Sequence, residues 1–343
     1  MLIIFFIAAL LLIVVFSGVA YQQVGLRIDQ RRFPAPGRMV DIGGFRLHLY
    51  ESGNVHGKAT VVLESGISAS SLNWRAVQGE ISKFARVCSY ERVGLGWSEL
   101  CETDCTPASL AAQLHVLLQA GGITGPYLLV GHSFGALVVR AFAACWPDET
   151  IGLVLVDPLD PAEWTPISDE QRRMIAHGVA LSRRGALAAK VGVVRLCLSL
   201  LMAGNRALPR LAAKLWSGRA SVVTDRIAGQ VRKMPAETWP LVAMHWKQPK
   251  CFEGMARHFE CLERSVAEMS IAPALNIPVT ILVGTQNEHP ADPREYAKKV
   301  SPRAKLVYAS GSGHWIQLDE PELVVNTVRE MIGSSKKEHT GGS

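Results

Sequence analysis

The sequence predicts an α/β fold with a mostly parallel central sheet, and three observations lead to this prediction. Short apolar runs typical of buried strands alternate with helical patterns in two parts of the chain, 38–163 and 271–333. An apolar strand that begins at Tyr127 ends in the pentapeptide Gly-His-Ser-Phe-Gly, and an apolar helix follows it. A late apolar strand near residue 305 leads into a Gly-Ser-Gly turn that carries His314. Strands that alternate with helices in this way form parallel sheets covered by their crossover helices.

The pentapeptide at residues 131–135 has the form Gly-x-Ser-x-Gly and stands between a strand and a helix. In that setting it predicts a nucleophile elbow, a strained turn that raises the hydroxyl of Ser133 above the sheet. Glycine is expected at 131 and 135 because the backbones of strand and helix pass too close there for larger side chains. His132 lies inside the turn, where we expect it to support the backbone rather than to react.

The predicted nucleophile needs a base, and the late turn supplies one in His314. A hydroxyl is a weak nucleophile at neutral pH unless a neighbouring imidazole accepts its proton. The order of a serine on an elbow followed by a histidine on a late flexible turn therefore predicts that His314 activates Ser133.

The chain resembles the α/β-hydrolase superfamily over residues 38–333. The resemblance is carried by the strand pair at 39–49 and 60–63, the Glu-Ser-Gly-Ile loop at 64–67, the run Tyr-Glu-Arg-x-Gly-x-Gly-Trp-Ser at 90–98, the elbow, Val-Asp-Pro at 156–158 and the histidine turn. It implies helices on both faces of the sheet and a helical cap inserted after the sixth strand. It also implies an oxyanion hole formed by the backbone N–H groups of Ile67 and Phe134.

The acid of the implied catalytic triad has two candidates. Most members of the superfamily carry an Asp in a Gly-x-x-Asp turn after the next-to-last strand, and Asn287 takes that position here. An amide orients a histidine but does not stabilise an imidazolium, and such a change can lower turnover by about four orders of magnitude. Asp157, at the end of the preceding strand, ranks first on strand-end position alone. Glu288, one residue beyond Asn287, ranks second.

Length and composition predict one hydrolase unit with an insertion, because α/β folds of about this size are commonly single units. After Val-Asp-Pro the alternation of strands and helices stops for about a hundred residues, and helical patterns take its place. The predicted segments are a core in two parts, a cap between them and a disordered tail, at 38–163, 271–333, 164–270 and 334–343.

The predicted cap is basic. The window 165–235 holds 13 Lys and Arg against 3 Asp and Glu, whereas the whole chain has a net charge of only +6. Apolar stretches at 191–202 and 208–216 interleave with these charges. Such a segment is typical of a helix lying on an anionic membrane surface, and equally of a lid whose apolar side covers a pocket. Both interpretations remain open on the sequence.

Residues 1–20 predict a transmembrane anchor. Positions 2–20 carry no charge, and this length suffices to cross the hydrocarbon core of a bilayer as a helix. Arginines follow the segment and none precedes it, so the positive-inside rule places the catalytic part on the cytoplasmic side. The Gly-Val-Ala at 18–20 resembles a signal-peptidase site, and export after cleavage is the alternative. We favour a retained, single-pass anchor.

No cofactor, metal or nucleic acid is predicted. The chain lacks zinc-ligand spacing, a dinucleotide fingerprint and a phosphate-binding loop. Its basic charge is not accompanied by a nucleic-acid recognition motif. Seven cysteines, an odd number in mostly apolar surroundings, favour reduced thiols, although Cys101 and Cys105 are close enough in sequence to bridge a loop.

The predicted function is that of a serine hydrolase that cleaves carboxylic esters, apolar or lipidic ones, through an acyl-enzyme on Ser133. Dehalogenase and epoxide hydrolase activities are disfavoured, because members of the superfamily with those activities carry an Asp at the position of Ser133. Two alternatives remain. An acyltransferase would pass the same acyl group to an alcohol or amine, and a non-catalytic binding protein would tolerate the change to Asn287.

Overall fold

The computed structural model describes residues 1–53, 59–204, 230–287 and 291–340, with side chains as far as residue 334. Eight strands form one sheet: β1 (Arg38–Asp41), β2 (Arg46–Ser52), β3 (Thr60–Glu64), β4 (Arg86–Tyr90), β5 (Tyr127–His132), β6 (Thr150–Val156), β7 (Val279–Gly284) and β8 (Ala304–Ala309). Their order across the sheet is β1-β2-β4-β3-β5-β6-β7-β8. β2 is antiparallel to β1 and β4, and the other neighbours are parallel. The mostly parallel sheet of the predicted α/β-hydrolase fold is confirmed.

The described helices are α1 (Leu2–Arg32), α2 (Arg75–Ile81), α3 (Pro107–Ala120), α4 (Phe134–Cys145), α5 (Asp169–Lys190), α6 (Val193–Met202), α7 (Trp239–Trp246), α8 (Pro249–Glu260), α9 (Leu262–Ser270), α10 (Pro293–Val300), α11 (Ile316–Asp319) and α12 (Pro321–Thr340). Helices α5 to α9 lie between β6 and β7, so the helical insertion follows the sixth strand as expected.

Helices cover both faces of the sheet. On one face, Leu114 of α3 and Phe142 of α4 are fully buried in a cluster with the sheet. On the other face, Ile81 of α2 and Val328 of α12 are equally buried. Burying each such side chain contributes about 1.5–3 kcal/mol relative to leaving it exposed. Because both faces are covered, β3 and β5 are buried along their whole length, which explains the apolar runs at 61–63 and 127–130.

The main helix–helix contact within the cap is between α5 and α8. The ring of Phe252 meets the backbone of Gly185, and the ring of Phe259 meets Gly178, so α8 lies close along α5. Two apolar stretches of the cap were predicted from the sequence. The first contains α6, whereas the second, at 208–216, lies outside the described residues.

Two segment boundaries differ from those expected. Helix α9 falls in the predicted cap, yet Leu262, Val266 and Met269 belong to the hydrophobic cluster on one face of the sheet. Helix α12 continues to Thr340. The predicted disordered tail starts at residue 334, so its residues 334–340 are helical instead. No proline interrupts this stretch, and adding residues to a helix that is already anchored costs little. Residues 341–343 lie outside the described part of the chain.

The seven cysteines are all free thiols, and Cys101 is not bridged to Cys105. Four of them are buried, at positions 88, 105, 251 and 261. Burial raises the pKa of the thiols of Cys88 and Cys251 to about 12, so these side chains act as small apolar groups.

Helix α1 extends well beyond the apolar segment predicted as an anchor. It is long and apolar enough to cross a membrane, and side chains 2–16 are exposed. Its later half contacts the cap, where Gln22, Gly25 and Asp29 are buried. One continuous helix therefore joins the exposed apolar segment to the folded domain.

Candidate active site

Ser133 lies at the tip of a sharp turn between β5 and α4. Its backbone has φ 53° and ψ −120°, a conformation that is strained for any residue with a side chain. A Cβ atom at Gly131 would lie 2.6 Å from the carbonyl oxygen of Gly135, and one at Gly135 would lie 2.5 Å from that of Ser65. The close approach of strand and helix expected at Gly131 is confirmed, whereas Gly135 is required because α4 passes close to the end of β3 and the loop after it. The turn has the strand-to-helix geometry of a nucleophile elbow.

The structure brings His314 and Asp157 together. Nδ1 of His314 lies 2.7 Å from Oδ2 of Asp157, whose side chain is almost fully buried. Asp157 directly follows β6, the strand next to β5, and its φ of 41° is again in the left-handed region. With Nδ1 donating to the carboxylate, a neutral His314 ring keeps its lone pair on Nε2, as a general base requires.

Asn287 holds the carboxylate of Asp157 instead of replacing it. Its side-chain nitrogen donates to Oδ2 of Asp157 over 2.9 Å, and the backbone N–H of Gly284 donates to Oδ1 over 2.9 Å. Together with Nδ1 of His314, these two donors orient the carboxylate of Asp157. Asn287, at the usual acid position, thus binds the acid Asp157 and not the histidine. Glu288, the second candidate acid, lies outside the described residues.

His132 connects the elbow to the turn that carries His314. Burial, together with the nearby His314, lowers the pKa of His132 to about 3, so its ring is neutral at physiological pH. Nε2 of His132 lies 2.8 Å from the backbone carbonyl oxygen of His314, and a neutral ring donates its proton there. We expected His132 to support the elbow; its hydrogen bond supports the histidine turn as well.

Arg92 orients the loop that contains Ile67. Its Nη2 donates to the carbonyl oxygen of Ser65 over 3.0 Å and also to that of Gly66. In a trans peptide the C=O and the following N–H point in opposite directions. The N–H of Ile67 therefore points away from Arg92. Phe134 begins α4, and its N–H is one of the first-turn amides that have no partner within a helix.

Arg92 pairs its buried guanidinium with the carboxylate of Glu64. Its Nε lies 3.3 Å from Oε1 of Glu64, and its guanidinium lies 5.4 Å from the ring centre of Phe134. Burial raises the pKa of Glu64 to about 7, against the lowering effects of Arg92 and Tyr90. Sequence reasoning did not assign Arg92 a role, although it is the arginine of the Tyr-Glu-Arg run that carried the resemblance.

Glu91, the residue before Arg92 in the same run, holds the next part of the loop after β3. Its carboxylate accepts hydrogen bonds from the hydroxyls of Ser70 and Ser71, at 3.1 and 2.7 Å. Burial raises the pKa of Glu91 to about 7, and these hydrogen bonds oppose the increase. Oε1 of Glu91 thus fixes the loop after β3 through Ser70 and Ser71.

An apolar cavity of about 290 Å³ adjoins Ile67. The core contributes Ile67, Ser68 and Trp315 to its wall, and the cap contributes mainly apolar side chains, among them Trp246 and Phe259. A larger depression of about 910 Å³ lies between α5 and α8, but charged side chains of the cap surface line it. The smaller cavity borders both the loop that contains Ile67 and Trp315, the residue after His314, and its mainly apolar wall can hold an apolar group.

The sheet and its helices define an α/β hydrolase, and comparison with known proteins agrees. The model of the alpha/beta hydrolase family matches residues 61–327, and the chain belongs to this family. The chain is 33% identical over 116 residues to the uncharacterized protein YqjL of Bacillus subtilis, a match covering 33% of this chain and 46% of YqjL. The chain thus spans less than half of the length of that relative.

Solved structures show the same fold. The epoxide hydrolase CorEH superposes with a TM-score of 0.64 at 18% identity, covering 87% of this chain and 98% of CorEH. A thermophilic esterase from Thermogutta terrifontis superposes with a TM-score of 0.57 at 23% identity, covering 87% of this chain and 98% of the esterase. At these identities the likeness concerns the fold alone, and the chemistry has to be argued from the residues at the elbow.

Proposed function

We propose that the protein is a serine hydrolase that cleaves carboxylic esters through an acyl-enzyme on Ser133. The observation that carries the proposal is the 2.7 Å hydrogen bond between His314 and the carboxylate of Asp157, which Asn287 and the N–H of Gly284 also hold. A histidine held in this way is the partner that a serine on an elbow needs in order to become a nucleophile. A serine at the elbow also argues against epoxide hydrolase chemistry, for which we expect an Asp there.

In the proposed reaction, the hydroxyl oxygen of Ser133 attacks the ester carbonyl while Nε2 of His314 accepts the hydroxyl proton. The N–H groups of Ile67 and Phe134 donate to the oxyanion that forms, and Asp157 stabilises the imidazolium. His314 then protonates the alcohol as it leaves. A water molecule, deprotonated by His314, attacks the acyl-enzyme, and the acid product departs as Ser133 regains its proton.

The cavity beside Ile67 supports an apolar acyl group as the preferred substrate part. Its wall combines few polar side chains with the rings of Trp246, Phe259 and Trp315. Burying an acyl chain there removes apolar surface from water, which is worth about 0.8 kcal/mol per methylene. The substrate class we propose is therefore an apolar or lipidic ester.

We further propose that residues 1–20 are retained as a single-pass membrane anchor with the catalytic domain on the cytoplasmic side. The exposed apolar surface of α1 and the arginines at 27, 31, 32 and 38 support this orientation. Mass spectrometry of the purified protein tests it, because a chain beginning at Tyr21 would mean cleavage and export.

A fluorophosphonate probe tests the proposed nucleophile. Wild-type protein is expected to be labelled covalently, and Ser133→Ala is expected to lose both labelling and ester hydrolysis. The matched control is Ser310→Ala, which changes the serine directly after β8, and this variant should be labelled normally. A folded wild type that is not labelled would point to the non-catalytic binding protein. Labelling combined with transfer of the acyl group to an added alcohol, at the expense of hydrolysis, would point to the acyltransferase.

The choice of acid is tested by Asp157→Ala and Glu288→Ala. Loss of the carboxylate that orients and balances His314 is expected to lower kcat by about 10⁴-fold for Asp157→Ala. Glu288→Ala should keep near-normal turnover. The reverse pattern, with Asp157→Ala active and Glu288→Ala inactive, would make Glu288 the acid.

A further inference from the structure

A buried polar junction fastens helix α1 to the cap. Arg195 of α6 donates from Nε to Oε1 of Gln22 over 2.8 Å, and from Nη1 to Oδ2 of Asp29 over 2.7 Å. Nε2 of Gln22 donates to the backbone carbonyl of Lys247 over 2.8 Å. Gln22, Asp29 and Arg195 are each less than a tenth exposed. A buried ion pair fixes the geometry of two elements, because either charge alone would be left uncompensated.

Glycines allow the two helices to approach closely at this junction. A Cβ atom at Gly18 would collide with the backbone carbonyl of Val191, and one at Gly25 would lie 2.5 Å from the guanidinium of Arg195. Gly192, in the turn between α5 and α6, has a φ of 78° and packs against Gly18. Small residues at a helix interface are typical of contacts made at or near a membrane. The positions 18, 22, 25 and 29 thus form one stripe along α1 that faces the cap.

The junction sets the height of the cap relative to a bilayer. The uncharged residues 2–20 form about 28 Å of helix, which nearly equals the hydrocarbon thickness of about 30 Å. Gly18 therefore lies at the edge of the hydrocarbon core when these residues span it. Because Gly18 contacts Val191 and Gly192, the turn between α5 and α6 lies at the same level.

Helix α6 presents apolar side chains at that level. Val193, Leu196, Leu201 and Met202 are exposed, as is Leu187 in the last turn of α5. The single charged residue of α6 is Arg195, and its charge is buried in the junction. Exposed basic side chains follow on α1, at Arg27, Arg31 and Arg32. An apolar helix beside basic residues matches the interface of an anionic bilayer, with acyl chains inside and phosphate groups outside.

We infer that α6 is a second membrane contact, and that the Arg195–Asp29–Gln22 junction seats its apolar face in the bilayer interface. The occupant of this face is lipid, because the face continues the exposed apolar surface of α1. The inference rests on the proposed membrane anchor and not on the proposed chemistry. Lys247, whose carbonyl accepts from Gln22, directly follows His245 and Trp246 of the cavity wall. The junction therefore also connects α1 to the wall of the apolar cavity beside Ile67.

Site-specific fluorescence tests the inference on the full chain. The accessible cysteines are first changed to serine, at positions 101, 145 and 197. A polarity-sensitive NBD label is then attached to Leu196→Cys on α6, to Phe6→Cys within α1, or to Ile271→Cys. Ile271 is an equally apolar, 85% exposed residue directly after α9 and serves as the matched control. The labelled proteins are reconstituted in vesicles of phosphatidylcholine and phosphatidylglycerol, with and without doxyl-labelled lipid.

The expected result is a blue-shifted emission at position 196 that shallow doxyl lipids quench, deep quenching at position 6, and water-like emission at position 271. Water-like emission at 196 with quenching at 6 would overturn the inference but leave the anchor intact. A blue shift at 196 without doxyl quenching would mean that protein covers α6, and it would also overturn the inference. Water-like emission at both 6 and 196 would refute the anchor itself. None of these readouts depends on catalysis by Ser133.

A second pair of variants tests the junction. Gly25→Leu forces a side chain against the guanidinium of Arg195, and it should abolish the quenching at 196 while the label at 6 stays quenched. Val24→Leu changes the neighbouring residue, which is 56% exposed, and should leave both signals unchanged. Equal quenching at 196 in the two variants would show that the junction does not seat α6.

Discussion

At the scale of single residues, Arg92 shows how a buried charge can organise a site that it does not enter. Its guanidinium donates to two consecutive carbonyls of the loop after β3 and lies over the ring of Phe134. It therefore contacts both chain segments whose N–H groups are the proposed oxyanion donors. Glu64 compensates the charge, which is only 3% exposed. Arg92 is a positioning residue in this arrangement.

We predict that Arg92→Met lowers kcat by about 10–100-fold with little change in KM, because oxyanion donors act mainly in the transition state. The double variant Arg92→Met/Glu64→Gln serves as a control, since it removes the unpaired carboxylate and should recover folding but not kcat. Steady-state kinetics and thermal unfolding measure the two effects separately. A variant that loses thermal stability alone would show that Arg92 is purely structural.

His258 is a second residue whose environment has a measurable consequence. It is fully buried, its Nδ1 lies 2.7 Å from the carbonyl oxygen of Gly254, and burial lowers its pKa to about 3. The unfolded chain, in which histidine titrates near pH 6.5, binds a proton that the folded chain does not. The contribution of His258 to stability is therefore complete above about pH 6.5 and is lost as pH falls towards 3.

We predict that, between pH 7.5 and pH 5, His258 causes the free energy of unfolding to fall by about 2 kcal/mol. His258→Gln should lose this part of the pH dependence, whereas His177→Gln, at an exposed position of α5, should keep it. Urea unfolding at the two pH values measures the difference. Glu64 and Glu91 act in the opposite sense, because their raised pKa values destabilise the fold as pH rises through about 4.5 to 7. The effect of Glu64 and Glu91 is the same in the wild type and in both histidine variants. If the free energy of unfolding changed equally with pH in all three proteins, the prediction would be contradicted.

At the scale of elements, the elbow depends on how closely β5, α4 and the loop after β3 approach one another. The backbone of Ser133 is strained, and the surrounding contacts hold it in place. Glycines at both ends of the turn make that approach possible. The same residue type elsewhere in the fold has no such role: a Cβ atom at Gly79 in α2 would meet nothing within 4 Å.

Two glycine-to-alanine substitutions are predicted to have opposite effects. Gly131→Ala should destabilise the protein by about 1–3 kcal/mol, because its methyl group would collide with the backbone of Gly135. Gly79→Ala should stabilise it by about 0.5–1 kcal/mol, since alanine is the better helix former and has room there. Chemical denaturation measures both. A neutral Gly131→Ala would mean that the elbow can relax.

At the scale of the whole molecule, the cavity exists only where the cap meets the core. Its wall takes Ile67 and Trp315 from the core, and Met255 and Phe259 from α8. Helix α8 is in turn positioned by α5, and α1 is fastened to α6. Substrate preference is therefore expected to depend on cap side chains, and the reaction on core side chains.

We predict that kcat/KM for nitrophenyl esters rises about fourfold per added methylene, from about 0.8 kcal/mol each, until the chain fills the cavity. Met255→Ala should move the optimum to longer chains, because it enlarges the cavity. Met174→Ala removes an exposed methionine from α5, outside the cavity, and should not move it. Rates are compared with and without detergent. An optimum that is the same in both variants would place the acyl chain elsewhere.

The features that the sequence predicted well are local ones. The elbow, the alternation of strands and helices and the apolar N-terminal segment each depend on neighbouring residues, so spacing and residue type identify them. The asparagine at the usual acid position was harder to interpret, because Asn287 orients Asp157 from the turn after β7, 130 residues further along the chain. Arg92 carried part of the resemblance, yet nothing in its spacing indicates which carbonyls it binds.

The sequence by itself determined the fold class, the nucleophile and base that we propose, and the presence of an anchor-like segment. Only the tertiary structure decided which carboxylate contacts His314, which loop Arg92 orients and how α1 joins the cap. The reason is that each of these contacts joins residues far apart in the chain. The parallel sheet brings the carboxyl ends of its strands to one edge, and packing then determines which of the side chains there touch one another.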